Sequence, residues 1–162
     1  MIVFSLHRRD NHYNHHFVLR RSLYLTKLYK QPLNGDGGDD ILIGGSSNDN
    51  MNAGSGNDIL IGGSGRDKLV GADGNDILNG GSGCGFLEGG NGNDLFILGN
   101  TEGVDIITDF QIGADKILLS DLAFTDLTLT ESSGSTLLEV TATGERIAIL
   151  NRATGLTSAD FF

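Results

Sequence analysis

The chain has 162 residues with 25 Gly, one Pro, one Cys, no Trp and a formal charge of −10. Sixteen of its 21 acids are Asp, and Asp and Gly both disfavour helix interiors, which argues against a helical bundle. Lone Cys84 excludes an intrachain disulfide framework, no apolar run approaches the ~18 residues of a membrane helix, and so acidic a balance disfavours nucleic acid.

The charge is divided along the chain. Residues 1–30 hold six basic residues (Arg8, Arg9, Arg20, Arg21, Lys27, Lys30) against Asp10, while the other 132 hold five basic and twenty acidic, a net of −15. Residues 1–33 read as a basic, His-containing N-terminal arm or capping helix, with Phe17–Tyr29 spaced as an amphipathic helix that would cover the first coil. His7, His12, His15 and His16 all lie here, without diagnostic zinc-ligand spacing. Arg20-Arg21 suggests a twin-arginine signal, but Lys27 and Lys30 interrupt the apolar stretch such a signal needs.

Residues 34–97 change character. From Gly35 the chain divides without a gap into seven nine-residue units of the form G-G-x-G-x-D-x-U-x, where U is large and apolar, ending with GGNGNDLFI from Gly89. Position 6 is Asp in six units, and position 8 is Leu42, Met51, Leu60, Leu69, Leu78, Leu87 and Phe96. The Gly-rich part of each unit suits a turn with positive φ, and the last three residues suit one short strand. Two units make an 18-residue coil, and stacked coils make two parallel sheets with position 8 between them. The expected fold is all-β, a parallel β-roll.

Such stacking sets position 6 over position 6 two units further on, about 4.8 Å away. Asp40, Asp58, Asp76 and Asp94 then form one column, and Asp49 and Asp67 the other. Bare carboxylates that close repel one another, so the columns call for cations between their rungs. Oxygen ligands in flexible geometry select calcium, with turn carbonyls completing the shell. The candidate metal-site residues are these six Asp, Asp105 in a degenerate eighth unit, and the turn glycines Gly35, Gly44, Gly45, Gly54, Gly56, Gly62, Gly63, Gly65, Gly71, Gly74, Gly80, Gly81, Gly83, Gly89, Gly90 and Gly92. Gly85 replaces Asp in unit six, so a site between units four and six loses a carboxylate. Ser47 replaces a turn Gly in unit two, where positive φ would cost of order 1 kcal/mol. Both defects fall in even-numbered units, so the odd column is expected to hold the better sites.

The seven units resemble the nonapeptide calcium-binding repeats of the RTX (haemolysin-type) family. The resemblance continues through Asp105-Ile-Ile-Thr-Asp-Phe110 and Gly113-Ala-Asp-Lys-Ile-Leu-Leu-Ser120, and more weakly to Leu156-Thr-Ser-Ala-Asp-Phe161. It implies a right-handed parallel β-roll, calcium as the bound ion and an extracellular location. It also implies export by a type I secretion apparatus that reads an uncleaved C-terminal signal, here Asp160-Phe161-Phe162.

Residues 98–162 hold only 6 Gly and several short apolar runs: Asp105–Phe110, Ile117–Leu119, Leu127–Leu129, Leu137–Val140 and Ile147–Leu150. They read as the degenerate repeat and a small C-terminal β cap carrying the export signal. Asp109 and Asp115 match acidic positions of the family, with turn or cap roles equally open. The outward positions of the odd units (Ile41, Ile43, Ile59, Ile61, Ile77, Asn79, Leu95, Ile97) make one sheet face apolar, a candidate surface for self-association. No H-E-x-x-H, G-x-S-x-G or phosphate-binding loop occurs. The reading is a non-enzymatic, calcium-folded, secreted repeat protein. The alternatives are the C-terminal part of a secreted hydrolase or protease, and a surface-layer or adhesion component.

Overall fold

Each nonapeptide ends in a three-residue tip, and in the computed structural model of the chain every tip begins a strand. The structure describes residues 24–26, 32–99 and 103–162. The strands of the repeat region are β1 (Tyr24–Thr26), β2 (Leu33–Asn34), β3 (Ile41–Gly45), β4 (Asn50–Ser55), β5 (Ile59–Gly65), β6 (Lys68–Asp73), β7 (Ile77–Gly83), β8 (Phe86–Asn91) and β9 (Leu95–Leu98). Parallel neighbours lie two units apart: Ile41 faces Ile59, Ile59 faces Ile77 and Ile77 faces Leu95 in one sheet, while Asn50, Lys68 and Phe86 line up in the other. The expected 18-residue coil is the coil observed.

Both sheets run on past residue 97. β10 (Asp105–Ile107) pairs with β8, and β11 (Lys116–Leu119) pairs with β9. β12 (Leu127–Ser132), β13 (Ser135–Val140) and β14 (Arg146–Leu150) then form an antiparallel set whose last member lies parallel to β10. The result is a six-stranded sheet, β1-β3-β5-β7-β9-β11, facing an eight-stranded one, β12-β13-β14-β10-β8-β6-β4-β2. All five apolar runs expected to be strands in residues 98–162 contribute strands.

The period of two sets what faces inward. Positions 6, 8 and 1 alternate with outward neighbours, so Asp, the large apolar residue and Gly share the inner side. Leu42, Met51, Leu60, Leu69, Leu78, Leu87 and Phe96 are fully buried between the sheets. Burying each such side chain contributes about 1.5–3 kcal/mol. At the C-terminal end Phe110 closes on Phe96, ring centroids 5.9 Å apart, and Ile107, Ile117, Leu138 and Leu150 continue the core into the cap. Outside, the row Ile41, Ile59, Ile77 and Leu95 is half-buried and Ile61 is exposed.

Three expectations need correction. A helix over Phe17–Tyr29 does not form as a unit, because Tyr24–Thr26 is a strand opposite Ile41, Leu42 and Ile43. The open edge of β3 offers a row of backbone donors and acceptors, and satisfying them outweighs a weak helical pattern. The remainder of that helix, the four histidines and Arg20-Arg21 lie outside the described residues. Second, Ser47 does not adopt positive φ. The left-handed non-glycine residues of the repeats are Asp36 (φ 68°) and Ala72 (φ 84°), both at position 2. Ser47 instead uses its hydroxyl, which donates to Oδ1 of Asp49 at 3.0 Å. Third, the residues read as a C-terminal export signal, Asp160-Phe161-Phe162, are mostly packed into the fold. Phe161 is buried, bridges to Ile117 and packs its ring 4.9 Å from that of Phe124. Asp160 is buried beside Lys116, 3.8 Å away, and only Phe162 is exposed, at 71%.

Candidate metal centre

Because position 6 falls on the inner side where turn meets strand, stacking brings its carboxylates into register. The N–H of Asp40 donates to Oδ1 of Asp58 at 2.6 Å, that of Asp58 to Oδ1 of Asp76 at 2.8 Å, and that of Asp76 to Oδ1 of Asp94 at 2.9 Å. The column does not stop there: Asp94 donates to Oδ1 of Asp115 at 3.0 Å. In the even column Asp49 donates to Oδ1 of Asp67 at 2.8 Å, and Gly85 to Oδ1 of Asp105 at 2.7 Å. Each carboxylate thus spends one oxygen on stapling its coil to the one before. A second, exposed column at position 5 runs the other way: Asn57 donates to Asp39, Asn75 to Asn57 and Asn93 to Asn75, through backbone N–H and side-chain oxygen.

The other carboxylate oxygen tests whether a cation fits. Oδ2 of Asp58, Asp76 and Asp94 is buried with no hydrogen-bond partner, and each of these residues is only 1% exposed. A buried anionic oxygen without a partner is costly unless something positive reaches it. The glycine at position 1 leaves the necessary space. A methyl group on Gly62 would come within 2.6 Å of Oδ2 of Asp67 and 2.5 Å of the carbonyl oxygen of Gly80. The same pairing of Asp oxygen and next-coil carbonyl recurs at Gly35, Gly44 and Gly71. Position 1 is therefore a cradle lined by carboxylate and carbonyl oxygens, which is the donor set of a hard cation. Among the described residues no three acidic, His or Cys side chains converge, so backbone carbonyls must supply much of any coordination shell.

The electrostatics agree. The carboxyl groups of Asp76 and Asp94 are pushed up to about 6, first by burial and then by neighbouring Asp residues, against the opposing effect of one backbone hydrogen bond each. Asp58 and Asp115 are raised in the same way. Repulsion along the column, the cause expected from the spacing, ranks behind desolvation.

The glycines of positions 2 and 4 differ from those of position 1 in their backbone conformation. Gly45, Gly54, Gly63, Gly81 and Gly90 at position 2, and Gly56, Gly65, Gly74, Gly83 and Gly92 at position 4, all have positive φ. Their conformation shapes the turn. Position 1 glycines Gly71, Gly80 and Gly89 lie outside the left-handed region and are there for space.

The rung lost at Gly85 is partly refilled. Asp105, two residues late for an 18-residue repeat, turns its carboxylate toward unit six, so that a methyl group on Gly80 would lie 2.6 Å from both its oxygens. Asp109 follows suit one rung over, accepting from the N–H groups of Gly89 at 3.0 Å and Gly90 at 2.8 Å. Asp115 is the member of the odd column that an unbroken nine-residue count misses, since insertions place it 21 residues after Asp94. Its neighbour Lys116, opposite Leu95, carries the register signal.

Buried carboxylate columns, glycine cradles and stacked parallel coils define a calcium-binding parallel β-roll. Residues 33–60 and 52–83 match the family model of the RTX calcium-binding nonapeptide repeat in four copies. The repeats of this chain are RTX calcium-binding repeats, and calcium is their ion. No curated protein sequence matches the chain. A subunit of the Azotobacter vinelandii mannuronan C5-epimerase is similar in fold, with a TM-score of 0.50 and 24% identity over 82% of this chain and 92% of that one. A second subunit of the same epimerase gives 0.43 at 28% identity, covering 79% of each chain. The extracellular lipase LipA of Serratia marcescens gives 0.44 at 13% identity, covering 85% of this chain and 42% of that one.

Proposed function

We propose that the chain is a non-catalytic, calcium-folded module of the extracellular space, exported by a type I route. The observation that carries the folding claim is the partnerless buried Oδ2 of Asp58, Asp76 and Asp94. Without cations these carboxylates oppose coil stacking, and with cations they bind one coil to the next. Asp40, Asp49, Asp67 and Asp105 serve as ligands in the same columns, and Gly35, Gly44, Gly62, Gly71, Gly80 and Gly89 line the cradles. Extracellular calcium modules bind at roughly 10⁻⁴–10⁻³ M, so the chain stays unfolded at cytosolic calcium and folds once outside. The half-buried Ile41, Ile59, Ile77 and Leu95 row supports self-association through the six-stranded sheet, which sedimentation with and without calcium measures.

Calcium titration followed by circular dichroism, with chelator reversal, tests the central claim. Strand signal rises cooperatively with calcium and collapses in chelator, and magnesium substitutes poorly because it demands near-octahedral geometry. Equal strand content in calcium and in excess chelator contradicts the reading.

A further inference from the structure

The eight-stranded sheet ends in an open strand. β12 has β13 on one side and, among the described residues, no strand on the other. The other sheet ends are short or covered. β1 has three residues and β2 two, while β11 is shielded by the C-terminus, where the N–H of Phe162 donates to the carbonyl of Ile117. β12 has six residues, without the proline, lysine or bulge that natural edges use against pairing.

The hairpin fixes which backbone groups of β12 are free. Ser133 and Gly134, with φ of 52° and 82°, form a two-residue primed turn, so Ser132 and Ser135 exchange hydrogen bonds, as do alternate pairs back along the strand. The N–H of Thr141, which donates to the carbonyl of Asp126, continues the same phase. Even-numbered residues therefore bond β13, and Leu129 and Glu131 turn their N–H and C=O groups outward. The carbonyl of Leu127 points the same way, while its N–H donates to the carbonyl of Phe124. Side chains alternate too. Leu127 and Leu129 are half-buried and pack on the core with Leu122, Phe124 and Leu156, whereas Thr128 and Thr130 are exposed.

We propose that β12 pairs antiparallel with β12 of a second copy about a two-fold axis at Leu129, making one sheet continuous through both chains. The phase of the free groups selects registers in which odd residues face odd residues. With Leu129 opposite Leu129, the two exchange N–H···O bonds, and each Glu131 N–H reaches the Leu127 carbonyl across the axis. The two leucines meet on the core side and Thr128 meets Thr130 on the other, both favourable cross-strand pairs. Glu131, the one charge on the strand, falls opposite Leu127 rather than its own mate, and its carboxylate already accepts the N–H of Gly155. Sliding the copies toward the hairpins brings the two Glu131 together, and sliding them the other way shortens the overlap. The strand's own alternation is thus its complement in hydrogen bonds, side chains and charge, which makes a second copy the occupant. An isologous contact of this kind closes at two chains. It is separate from the isoleucine row, which lies on the other sheet.

Disulfide trapping on the calcium-loaded full chain tests the register, with Cys84→Ser removing the native thiol. Thr128→Cys and Thr130→Cys are made in separate chains and mixed in a glutathione redox buffer. Thr128 of one copy and Thr130 of the other form a non-hydrogen-bonded pair with Cα atoms about 4.5 Å apart, within disulfide reach. Like residues are diagonal neighbours about 7–8 Å apart, beyond it. The mixture is expected to give cross-linked dimer as its main product, and each variant alone to stay monomeric on a non-reducing gel. Leu129→Pro removes an outward N–H that the single chain does not use, so it is expected to keep the calcium midpoint of folding and to abolish the dimer in sedimentation equilibrium. Ile59→Lys, on the isoleucine row, is expected to leave both the cross-link and this dimer in place. Absence of cross-linking in the mixture, equal cross-linking of either variant alone, or a dimer that survives Leu129→Pro and is lost with Ile59→Lys each overturns the proposal.

Discussion

Gly71→Ala and Gly45→Ala separate the two uses of glycine. Gly71 sits at position 1, outside the left-handed region, with Oδ2 of Asp76 and the carbonyl of Gly89 where a methyl group would go. Its backbone suits Ala, and lower unfolded-state entropy favours the variant by about 0.4–1 kcal/mol. However, the methyl comes within 2.6 Å of the Gly89 carbonyl, where ordinary contact begins at 3.4 Å, so this carbonyl must retreat by 0.8 Å. That displacement removes a ligand from the cradle. At free calcium a hundredfold above its dissociation constant, an occupied site stabilises the fold by about 2.7 kcal/mol. Loss of one site less the entropic gain leaves Gly71→Ala roughly 2 kcal/mol weaker in calcium. Gly45 is the converse, with φ of +106° and open space around it. Ala there costs about 1–2 kcal/mol of backbone strain whatever the calcium concentration. Denaturant unfolding at a series of free calcium concentrations reads both. The slope of stability against log[Ca²⁺] counts ions bound on folding, so Gly71→Ala lowers that slope by about one and Gly45→Ala shifts the line in parallel. A wild-type slope and calorimetric stoichiometry for Gly71→Ala would refute the cradle.

Three further outcomes are expected of the site and the cap. A Cβ on Gly85 meets Oδ1 of Asp105 at 2.8 Å, so Gly85→Asp, expected from the repeat alone to restore a missing rung, helps only when that carboxylate moves aside. Gly85→Asp alone should therefore leave the calcium midpoint, measured by circular dichroism, no lower than that of the wild type. In chelator, Asp76 and Asp94 titrate at about 6 in the folded chain against an ordinary 3.8, so their contribution is fully present below 3.8 and fades as pH rises through 6. Strand content in chelator should be greater at about pH 5 than at about pH 7.5, and the reverse order would contradict the burial of these carboxylates. Deleting Ala159–Phe162 removes buried Phe161 and the Lys116–Asp160 contact and should cost about 3 kcal/mol of cap stability, whereas Phe162→Ala leaves the fold intact and tests export by itself in a secretion assay.

Legibility in the sequence tracks its period. Strand phase, the buried row from Leu42 to Phe96 and the columns through Asp94 need only a nine-residue count and the two-residue alternation of a strand. Beyond Leu98 the count slips to 20 residues at Asp105 and 21 at Asp115. Only pairing energies restore the register there, and these belong to the tertiary fold. The distinct surroundings of the glycines were also hidden, since composition marks position 1 and position 2 alike while position 1 faces an Asp carboxylate and position 2 turns the chain with positive φ. Tyr24–Thr26 shows the same limit: a three-residue segment takes its conformation from the edge it meets.

The alternation of the two columns also sets how this protein can change length. Removing nine residues keeps every glycine turn but exchanges the sheets upstream of the cut, laying the row of Ile41 and Ile59 beside strands that carry Phe86 and Glu88 and interrupting the lineage of odd-unit carboxylates that ends at Asp115. Removing eighteen leaves every neighbour relation of the same kind, with one rung fewer in each column. Insertions and deletions in this gene are therefore tolerated in steps of a full coil, and a variant shortened by one unit, such as Gly62–Val70, would arrive with its outer faces scrambled. The heritable quantum of the roll is the pair, although the motif that spells it is the single nonapeptide.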